Sequence, residues 1–397
     1  MSVIDRLKVI RGARQDIMDG SKTFRARVSS ARVGRKDSIM SSLATQSVTA
    51  LHEDAELLGA GFYRIIKRFP FTGCFRQNFS HLMPYWPQTA KSVDQCVFID
   101  TETNGLGTAS GTLAFMIGLL WIENNECRME QLFITDFAAE NAMLEYMLAR
   151  FHTDTVFVSY NGKQFDLPLL QSRLRLVKMK HSLDQYAHID LLYSVRLAFQ
   201  RRWSDCRLQT AEKKLLEVFR VDDFPGDQAP DAWFSLLRTG CAGKFNKLLE
   251  HNQHDLFNLA KLLLKLHDVY SEPDVFNADV VRIARRRIKE GALESACKVL
   301  VYNDNSESLG LLAMLLKQQG AWIGAVRIWK RLAADGCGVA MLELAKFYEH
   351  KQKNYSAAFN LTRHLYRLEP GPVVLKRLER IQRRLESSRL QKDTNNT

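Results

Sequence analysis

The stretch "CVFIDTETNGLG" (residues 96–107) joins a buried-looking strand directly to two acidic side chains, Asp100 and Glu102. Side chains on a strand alternate between its faces, so both carboxylates project from the same face. Two like charges at the end of a buried strand repel each other unless a cation lies between them. Mg²⁺ and Mn²⁺ prefer carboxylate oxygens as ligands. The stretch therefore indicates a metal-binding strand end, and the alternative is a pair of acids that cap a turn.

Two further stretches contain acids in positions that would suit the same site. In "VFVSYNGKQFDLPLL" (156–170), a buried strand leads through a polar loop to Asp166 and a helix with Pro168 in its first turn. The alternative role for Asp166 is a helix N-cap. In "LEHNQHDLFNLAKLLLKL" (249–266), His251 and Asp255 are four residues apart on a predicted helix and share one face. An ordinary surface pair is the alternative for these two.

Taken together, the four acids and His251 provide what two-metal phosphodiester hydrolysis requires. Two divalent cations, Mg²⁺ or Mn²⁺, would hold the attacking and leaving oxygens, and four carboxylates would offset their charge. A nearby base would deprotonate the attacking water. The sequence thus predicts Asp100, Glu102, Asp166 and Asp255 as metal ligands, with His251 as the base.

The three stretches resemble a known set of motifs. "FIDTETNGLG", "SYNGKQFDLPLL" and "HNQHDLFNLAKLL" are similar, in order and spacing, to motifs Exo I, II and III of the ribonuclease H-like DEDD 3′→5′ exonucleases. A narrower resemblance, to the YprB-type branch, rests on "GTLAFMIGLLW", "HIDLLYSVRL", "CRLQTAEKKLL", "DDFPGDQAP" and "LLRTG". The resemblance covers about residues 60–270. It implies a mixed five-stranded sheet flanked by helices, with the first two acids on its first strand and all four acids at the metals.

One departure concerns the base. Motif III of one subgroup has Tyr with three residues between it and Asp, and that of another has His with four. Here the spacing is that of the tyrosine subgroup, but the residue is His251. Spacing on a helix directs His251 to the side of Asp255, whereas His254 should point about 100° away.

Weaker candidates surround the three motifs. Asn161 and Lys163 in "YNGK" are candidates for binding a substrate phosphate, with a solvated loop as the alternative. Asp190, after "AHI", is a candidate accessory acid or orienting residue, with helix capping as the alternative. His188 is expected to be a packed strand histidine. The last two candidates are tryptophans that stack on bases or, as we expect, pack in the core: Trp203 and Trp233.

The hydrophobic pattern changes along the chain. A mixed α and β pattern up to about residue 270 gives way to helices only, in which "GALESACKVL", "GAWIGAVRIW" and "KNYSAAFNLT" form a weak repeat. Such spacing is typical of tetratricopeptide-like helix pairs, and a plain helical bundle is the alternative. We therefore predict an α/β domain followed by an all-α domain. The predicted bounds are a basic, weakly ordered arm at 1–55, short strands at 56–95, the exonuclease domain at 96–270, helical repeats at 278–385 and a disordered tail at 386–397.

Composition indicates the class of partner. The chain has 56 Lys and Arg against 44 Asp and Glu, a net charge of +12, which favours nucleic acid. The start has no apolar segment of a signal peptide, and the longest apolar stretch is too short to span a membrane. Seven scattered cysteines without CxxC pairs indicate neither a disulfide framework nor a zinc site, so a cytoplasmic location is expected.

The sequence therefore predicts a metal-dependent 3′→5′ exonuclease acting on DNA or RNA. Two alternatives stay open: endonucleolytic or structured-RNA processing by the same site, and a non-catalytic scaffold that binds nucleic acid. The helical repeats are a candidate surface for a protein partner.

Overall fold

The structure is a computed structural model, which describes residues 51–70, 85–87, 93–105, 111–123 and 126–394, with side chains up to residue 387. The predicted basic arm therefore lies almost entirely outside the described residues.

A seven-stranded mixed sheet forms the centre of the α/β part within these residues. Its strand order is β1-β2-β5-β4-β3-β6-β7. The strands β1 to β5 are joined by antiparallel pairs, whereas β6 and β7 run parallel to β3. The bounds are β1 Glu56–Gly59, β2 Phe62–Pro70, β3 Cys96–Thr103, β4 Ala114–Glu123, β5 Glu126–Ile134, β6 Val156–Ser159 and β7 Ala187–Asp190.

The prediction of five strands is wrong in number, because two strands precede the motif I strand in the same sheet. Strands β3 to β7 are the five expected from the resemblance, and β2 pairs with β5 from Phe62 to Pro70. The inward side chains Phe62, Tyr63 and Ile65 are buried, so β2 contributes to the core of the domain. Residues 56–70 therefore extend the antiparallel edge of the sheet.

Helices cover both faces of the sheet. One apolar layer joins a face of the sheet to α1, α2, α5 and the start of α6, and the other joins the opposite face to α3 and the rest of α6. The bounds are α1 Glu140–Leu148, α2 Asp166–Leu176, α3 Leu191–Phe199, α4 Leu208–Ala211, which continues as a π-helix at Glu212–Leu216, α5 Ala229–Thr239 and α6 Gly243–Ser271. The helix predicted to carry His251 and Asp255 is α6, and its apolar side chains Leu256, Leu259 and Leu263 are buried.

Only helices follow α6 in the described residues. Each packs against the next along the chain, and the alanines equivalent in the predicted repeat, Ala296, Ala325 and Ala358, are fully buried. Small side chains at these points let neighbouring helices approach closely. The predicted tetratricopeptide-like character stays a prediction. The bounds are α7 Val280–Lys289, α8 Leu293–Val301, α9 Ser306–Gln318, α10 Trp322–Ala334, α11 Gly338–His350, α12 Tyr355–Leu368 and α13 Pro372–Thr394.

The C-terminal segment differs from the prediction. The helix α13 continues to Thr394, so most of the tail predicted to be disordered from residue 386 is helical. Good helix-forming residues in "LESSRLQK" continue the pattern beyond the point where we expected it to end. A search of the described residues finds no helix that combines the length and the apolar character needed to cross a membrane.

Candidate metal-binding and catalytic site

The carboxyl ends of the three parallel strands bring the motifs together. Strands β3, β6 and β7 run in the same direction and end at the same edge of the sheet. Residues that follow parallel strands meet at this edge, where α/β sheets bind their ligands. Asp100 and Glu102 lie on β3, Asp166 begins the helix after β6, and Asp190 ends β7. Helix α6 packs against β3 and β4, and the charge of Asp255 on this helix raises the pKa of Asp100.

Asp100 is held by an amide from α6. Asn252 Nδ2 donates to Asp100 Oδ2 at 2.8 Å, and Asn252 Oδ1 accepts from Gln131 Nε2 at 2.9 Å. Gln131 also donates to the carbonyl of Leu249 at 2.8 Å. Both amide side chains are buried. The chain of bonds from β5 through α6 therefore fixes the direction of the Asp100 carboxylate.

Close approach of α6 to the sheet depends on Gly118, which lies opposite Asp100 on β4. A Cβ at Gly118 would lie 2.4 Å from Asn252 Oδ1 and 2.6 Å from Leu256 Cδ1. We expect Gly118→Ala to displace Asn252 and to lower the free energy of unfolding by about 1–3 kcal/mol, because overpacking a core strains it. Thermal unfolding of the purified protein measures the change.

The matched control for Gly118→Ala is Gly310→Ala in α9. A Cβ at Gly310 meets no atom within 4 Å. Alanine is a better helix former than glycine by up to about 1 kcal/mol, so this variant should be at least as stable as the original protein. Equal stability changes in the two variants would contradict the steric role of Gly118.

Asp166 is anchored to the motif I strand. Its Oδ1 accepts from the backbone N of Thr101 at 3.1 Å and from Thr101 Oγ1 at 2.5 Å. The helix N-cap position is taken by Phe165, so Asp166 is not the N-cap that the alternative supposed. A Cβ at Gly162 would lie 3.1 Å from Asp166 Oδ2 and 2.3 Å from Ser159 Oγ, so the loop can pass only with glycine there.

Asp190 organises the loop that carries motif II. It is buried, and its carboxylate accepts from the backbone N of Asn161 at 2.7 Å and from that of Lys163 at 3.1 Å. It also caps α3 by accepting from the backbone N of Leu192 at 3.1 Å. Both sequence interpretations of Asp190, as an orienting residue and as a helix cap, therefore describe contacts that it makes.

His251 and Asp255 lie side by side on α6. His251 Nε2 is 3.6 Å from Asp255 Oδ2, and His251 Nδ1 is hydrogen-bonded to Asp223 Oδ1 at 2.8 Å. Arg220 contacts Asp255 Oδ1 through Nη2 and Asp223 Oδ2 through Nη1 at 3.1 Å. The imidazole is thus oriented by a carboxylate on one nitrogen and presents the other towards Asp255. His254 is exposed on the neighbouring face, as predicted.

The four acids influence one another electrostatically. Burial raises the pKa of Asp100 well above its usual value, and the charges of Asp255, Glu102 and Asp166 raise it further. Burial, followed by the charges of Asp255 and Asp166, likewise raises the pKa of Glu102. Asp255 and Asp166 are therefore close enough to both Asp100 and Glu102 to oppose the ionisation of these two carboxyls. Such mutual effects are typical of sites that bind cations or perform acid–base chemistry.

Burial also raises the pKa of Asp166, to about 6, although the bonds from Thr101 oppose the shift. A carboxyl whose pKa is higher in the folded than in the unfolded state opposes folding once the pH exceeds the unfolded value of about 4. We therefore expect Asp166→Asn to stabilise the protein in EDTA by up to roughly 3 kcal/mol at pH 8 and hardly at all at pH 4. Thermal unfolding between pH 4 and 8 would follow this gain.

The control for Asp166→Asn is Asp184→Asn, because Asp184 is exposed. Its effect on the melting temperature should be small throughout the pH range. A gain for Asp166→Asn that does not grow between pH 4 and pH 7 would contradict the burial argument.

The remaining candidates take peripheral or structural positions. Lys163 is exposed, with its Nζ 5.8 Å from the centre of the Tyr193 ring. His188 is hydrogen-bonded to Ser159 Oγ at 2.8 Å, and burial lowers its pKa to about 3. The two tryptophans pack within the protein. Trp233 is fully buried and Trp203 stacks on Phe199 at 4.1 Å.

Sequence reasoning missed the residues that orient the acids and the histidine. They are Thr101, Gln131, Arg220, Asp223 and Asn252. Three of them stood in quoted motifs without a role: Thr101 in "FIDTETNGLG", Asp223 in "DDFPGDQAP" and Asn252 in "HNQHDLFNLAKLL". Their partners are far away in the sequence, so no local pattern reveals them.

The donor set suits a hard divalent cation, since it consists of carboxylates and the charges of Glu102, Asp166 and Asp255 all raise the pKa of Asp100. Among the described residues, no three His, Cys, Asp or Glu side chains stand in a ready-made coordination arrangement. The chemistry of the side chains fits Mg²⁺ or Mn²⁺.

Comparison with known proteins gives a family for the α/β part and one curated relative. Residues 97–267 match RNase_H_2, a family of the RNase_H superfamily. YprB of Bacillus subtilis (strain 168) is 27% identical over 278 residues, which are 66% of this chain and 67% of YprB. The family B DNA polymerase from the archaeon Pyrobaculum calidifontis aligns with 15% identity and a TM-score of 0.32 over 52% of this chain and 29% of the polymerase chain.

The α/β part is therefore a ribonuclease H-like, nuclease-type domain. The sequence motifs indicated a resemblance to YprB-type ribonuclease H-like proteins, and this resemblance is confirmed.

Proposed function

We propose that this protein is a metal-dependent 3′→5′ exonuclease of the DEDD type. The observation that carries the proposal is the convergence of Asp100, Glu102, Asp166 and Asp255, whose charges raise the pKa values of Asp100 and Glu102. Buried carboxylates that repel one another need a cation to offset their charge. The substrate we propose is a DNA or RNA strand, in keeping with the net charge of +12.

In this proposal the four acids hold two divalent cations, Mg²⁺ or Mn²⁺, which supply charge stabilisation at the scissile phosphate. His251 Nε2 accepts the proton of the attacking water. Asp223 holds the opposite ring nitrogen at 2.8 Å, which fixes the ring and stabilises the positive charge that develops on it. Asn161 and Lys163 bind a neighbouring phosphate from the loop that Asp190 organises.

We expect His251→Gln to lower kcat by about 10²- to 10⁴-fold, because a general base contributes about that much. The affinity for Mn²⁺ should change little, since Asp255 and its contact with Arg220 remain. The matched control is His254→Gln, an exposed histidine on the adjacent face of α6, which should retain activity. Equal losses in both variants would contradict the role given to His251.

The experiment that tests the proposed function uses purified full-length protein and 5′-labelled single strands of DNA and RNA with Mg²⁺, Mn²⁺ or EDTA. A metal-dependent ladder that shortens from the 3′ end, absent for Glu102→Gln, is the expected result and identifies the sugar. Internal fragments would favour the endonuclease alternative. Binding without cleavage of single strands, duplexes or structured RNA would favour the scaffold and overturn the proposal.

The cytoplasmic location and a protein partner for the helical repeats stay predictions. The six described cysteines form no disulfide with one another.

A further inference from the structure

We infer that Arg220 is a positioning residue, which fixes the carboxylate of Asp255 and, through Asp223, the ring of His251. The inference rests on the proposed function, because it concerns the same four acids. Arg220 lies outside all three motifs, on the segment between the π-helix and α5.

A single guanidinium joins three acids from separate parts of the chain. Arg220 Nε and Nη2 contact the two carboxylate oxygens of Glu212, the same Nη2 contacts Asp255 Oδ1, and Nη1 contacts Asp223 Oδ2. The Arg220 side chain is 9% exposed and that of Glu212 is fully buried. A buried pair with two parallel bonds holds its geometry better than a single contact does.

Glu212 anchors the guanidinium of Arg220. Glu212 begins the π-helix, and Asn258 Nδ2 donates to Glu212 Oε1 at 3.0 Å from helix α6, one turn beyond Asp255. Glu212 is therefore connected to α6 twice, directly by Asn258 and, through Arg220, by Asp255. Single π-helical turns are often found at functional sites.

The backbone around Arg220 is shaped to turn its side chain inwards. Glu217 and Asp222 both have positive φ, 56° and 55°, which non-glycine residues seldom adopt. Between them, Phe219 and Val221 are 68% and 84% exposed, whereas Arg220 points into the protein. Apolar side chains lie in solvent here, while the charged side chain is buried, the reverse of the usual arrangement. A segment that keeps an unfavourable backbone conformation and exposed apolar side chains is typical of functional sites.

The contacts leave one oxygen of Asp255 for a cation. Arg220 binds Oδ1, and Oδ2 is 3.6 Å from His251 Nε2. Asp255 Oδ2 is therefore the oxygen that Arg220 does not bind, and the contact at Oδ1 fixes the rotation of the carboxylate. The negative charges of Glu212 and Asp223 offset the positive charge of Arg220, so the guanidinium orients Asp255 at little cost to the attraction for a cation.

The test compares Mn²⁺ binding with cleavage in full-length variants. Free Mn²⁺, followed by electron paramagnetic resonance, gives the dissociation constant without any need for activity. We expect Arg220→Gln and Glu212→Gln each to weaken Mn²⁺ binding about 10- to 100-fold, the usual effect of losing a residue that orients a metal ligand. The double variant should be no weaker than either single variant, because both remove the same network.

Two further variants separate positioning from charge alone. Arg220→Lys keeps the charge but cannot join three carboxylates, so it should not restore Mn²⁺ affinity. Asp223→Asn leaves the Arg220–Asp255 contact intact but removes the charge that orients His251, so it should lower kcat with little change in Mn²⁺ affinity. The control is Arg331→Gln, an exposed arginine paired with exposed Asp304, which should behave as the original protein.

Unchanged Mn²⁺ affinity in a folded Arg220→Gln would overturn the inference. Tighter binding would overturn it too, and would mean that Arg220 competes with the cation for Asp255. If Arg220→Gln does not fold, as judged by circular dichroism, Glu212→Gln and Asp223→Asn decide the outcome.

Cleavage by the original protein together with an unaffected Arg220→Gln refutes this inference alone. Mn²⁺ binding without cleavage of any substrate refutes the exonuclease proposal while the Arg220 comparison can still succeed, and absence of Mn²⁺ binding by the original protein refutes both.

Discussion

Asp100→Asn is expected to lower phosphodiester cleavage by a thousandfold or more, which corresponds to about 4 kcal/mol of lost transition-state stabilisation. Asparagine has nearly the shape of aspartate, so the fold and the apolar layer around β3 should remain. What disappears is the negative charge at the centre of the cluster, on the residue whose pKa the other three acids raise. The amide would also place a donor against Asn252 Nδ2, which donates to Asp100 in the original protein.

Three measurements on Asp100→Asn separate a catalytic loss from a folding defect. Single-turnover cleavage gives the rate, and thermal unfolding with and without Mg²⁺ gives the stabilisation due to the metal. Filter binding of a labelled strand gives the affinity for nucleic acid. We expect cleavage and the stabilisation by Mg²⁺ to be lost, and the affinity for nucleic acid to stay within a few-fold. The melting temperature in EDTA should be equal or higher, because one buried charge is gone. A variant that cleaves at the original rate would refute the metal-ligand role and support the scaffold alternative.

Glu349→Gln is expected to destabilise the docking of α13 by about 3 kcal/mol. The Glu349 carboxylate is fully buried at the end of α11 and contacts Arg377, Arg380 and Arg384 of α13. Arg380 makes two bonds to it, both at 3.0 Å. Removing one partner of a buried ion pair typically costs about 3–5 kcal/mol, since the other charges stay without compensation. The lower end applies here because two of the arginines are 43% exposed.

The helix α13 depends on this contact because its apolar contribution is small. Among its described side chains, only Ile381 is buried. Hydrogen exchange followed by mass spectrometry should show faster exchange in α13 for Glu349→Gln, with the exchange of the sheet unchanged. The control is Glu307→Gln, since Glu307 pairs with Arg285 at an exposed site and such pairs contribute about 0–1 kcal/mol. Unaltered exchange in α13 would contradict the proposed dependence on Glu349.

Much of the candidate site could be predicted because its acids follow local rules. Alternation along β3 places Asp100 and Glu102 on one face, and the spacing of four on α6 places His251 beside Asp255. The apolar runs before Asp100 and Asp166 and the helical spacing around His251 also predicted β3, β6 and α6. In these segments local periodicity and tertiary packing favour the same structure, so the sequence was sufficient.

The number of strands was missed for a different reason. Strand β2 lies before the motif I strand, and its partner β5 lies more than fifty residues further along the chain. Pairing over such a distance leaves no local trace beyond the apolar residues of "FYRIIKRF". The end of α13 was placed too early because a basic, serine-containing stretch has a composition close to that of disordered tails.

The sequence by itself indicated the class of fold and the change from mixed to helical structure near residue 270, and it selected the four acids and the histidine as candidate site residues. These depend on periodicity, spacing and the side-chain types that metal-assisted chemistry requires. Only the tertiary structure decided what orients those side chains: Asn252 and Gln131 at Asp100, Thr101 at Asp166, and Arg220 with Glu212 at Asp255. The physical reason is that a hydrogen bond between residues distant in the chain depends on how strands and helices pack, which no single stretch of sequence encodes.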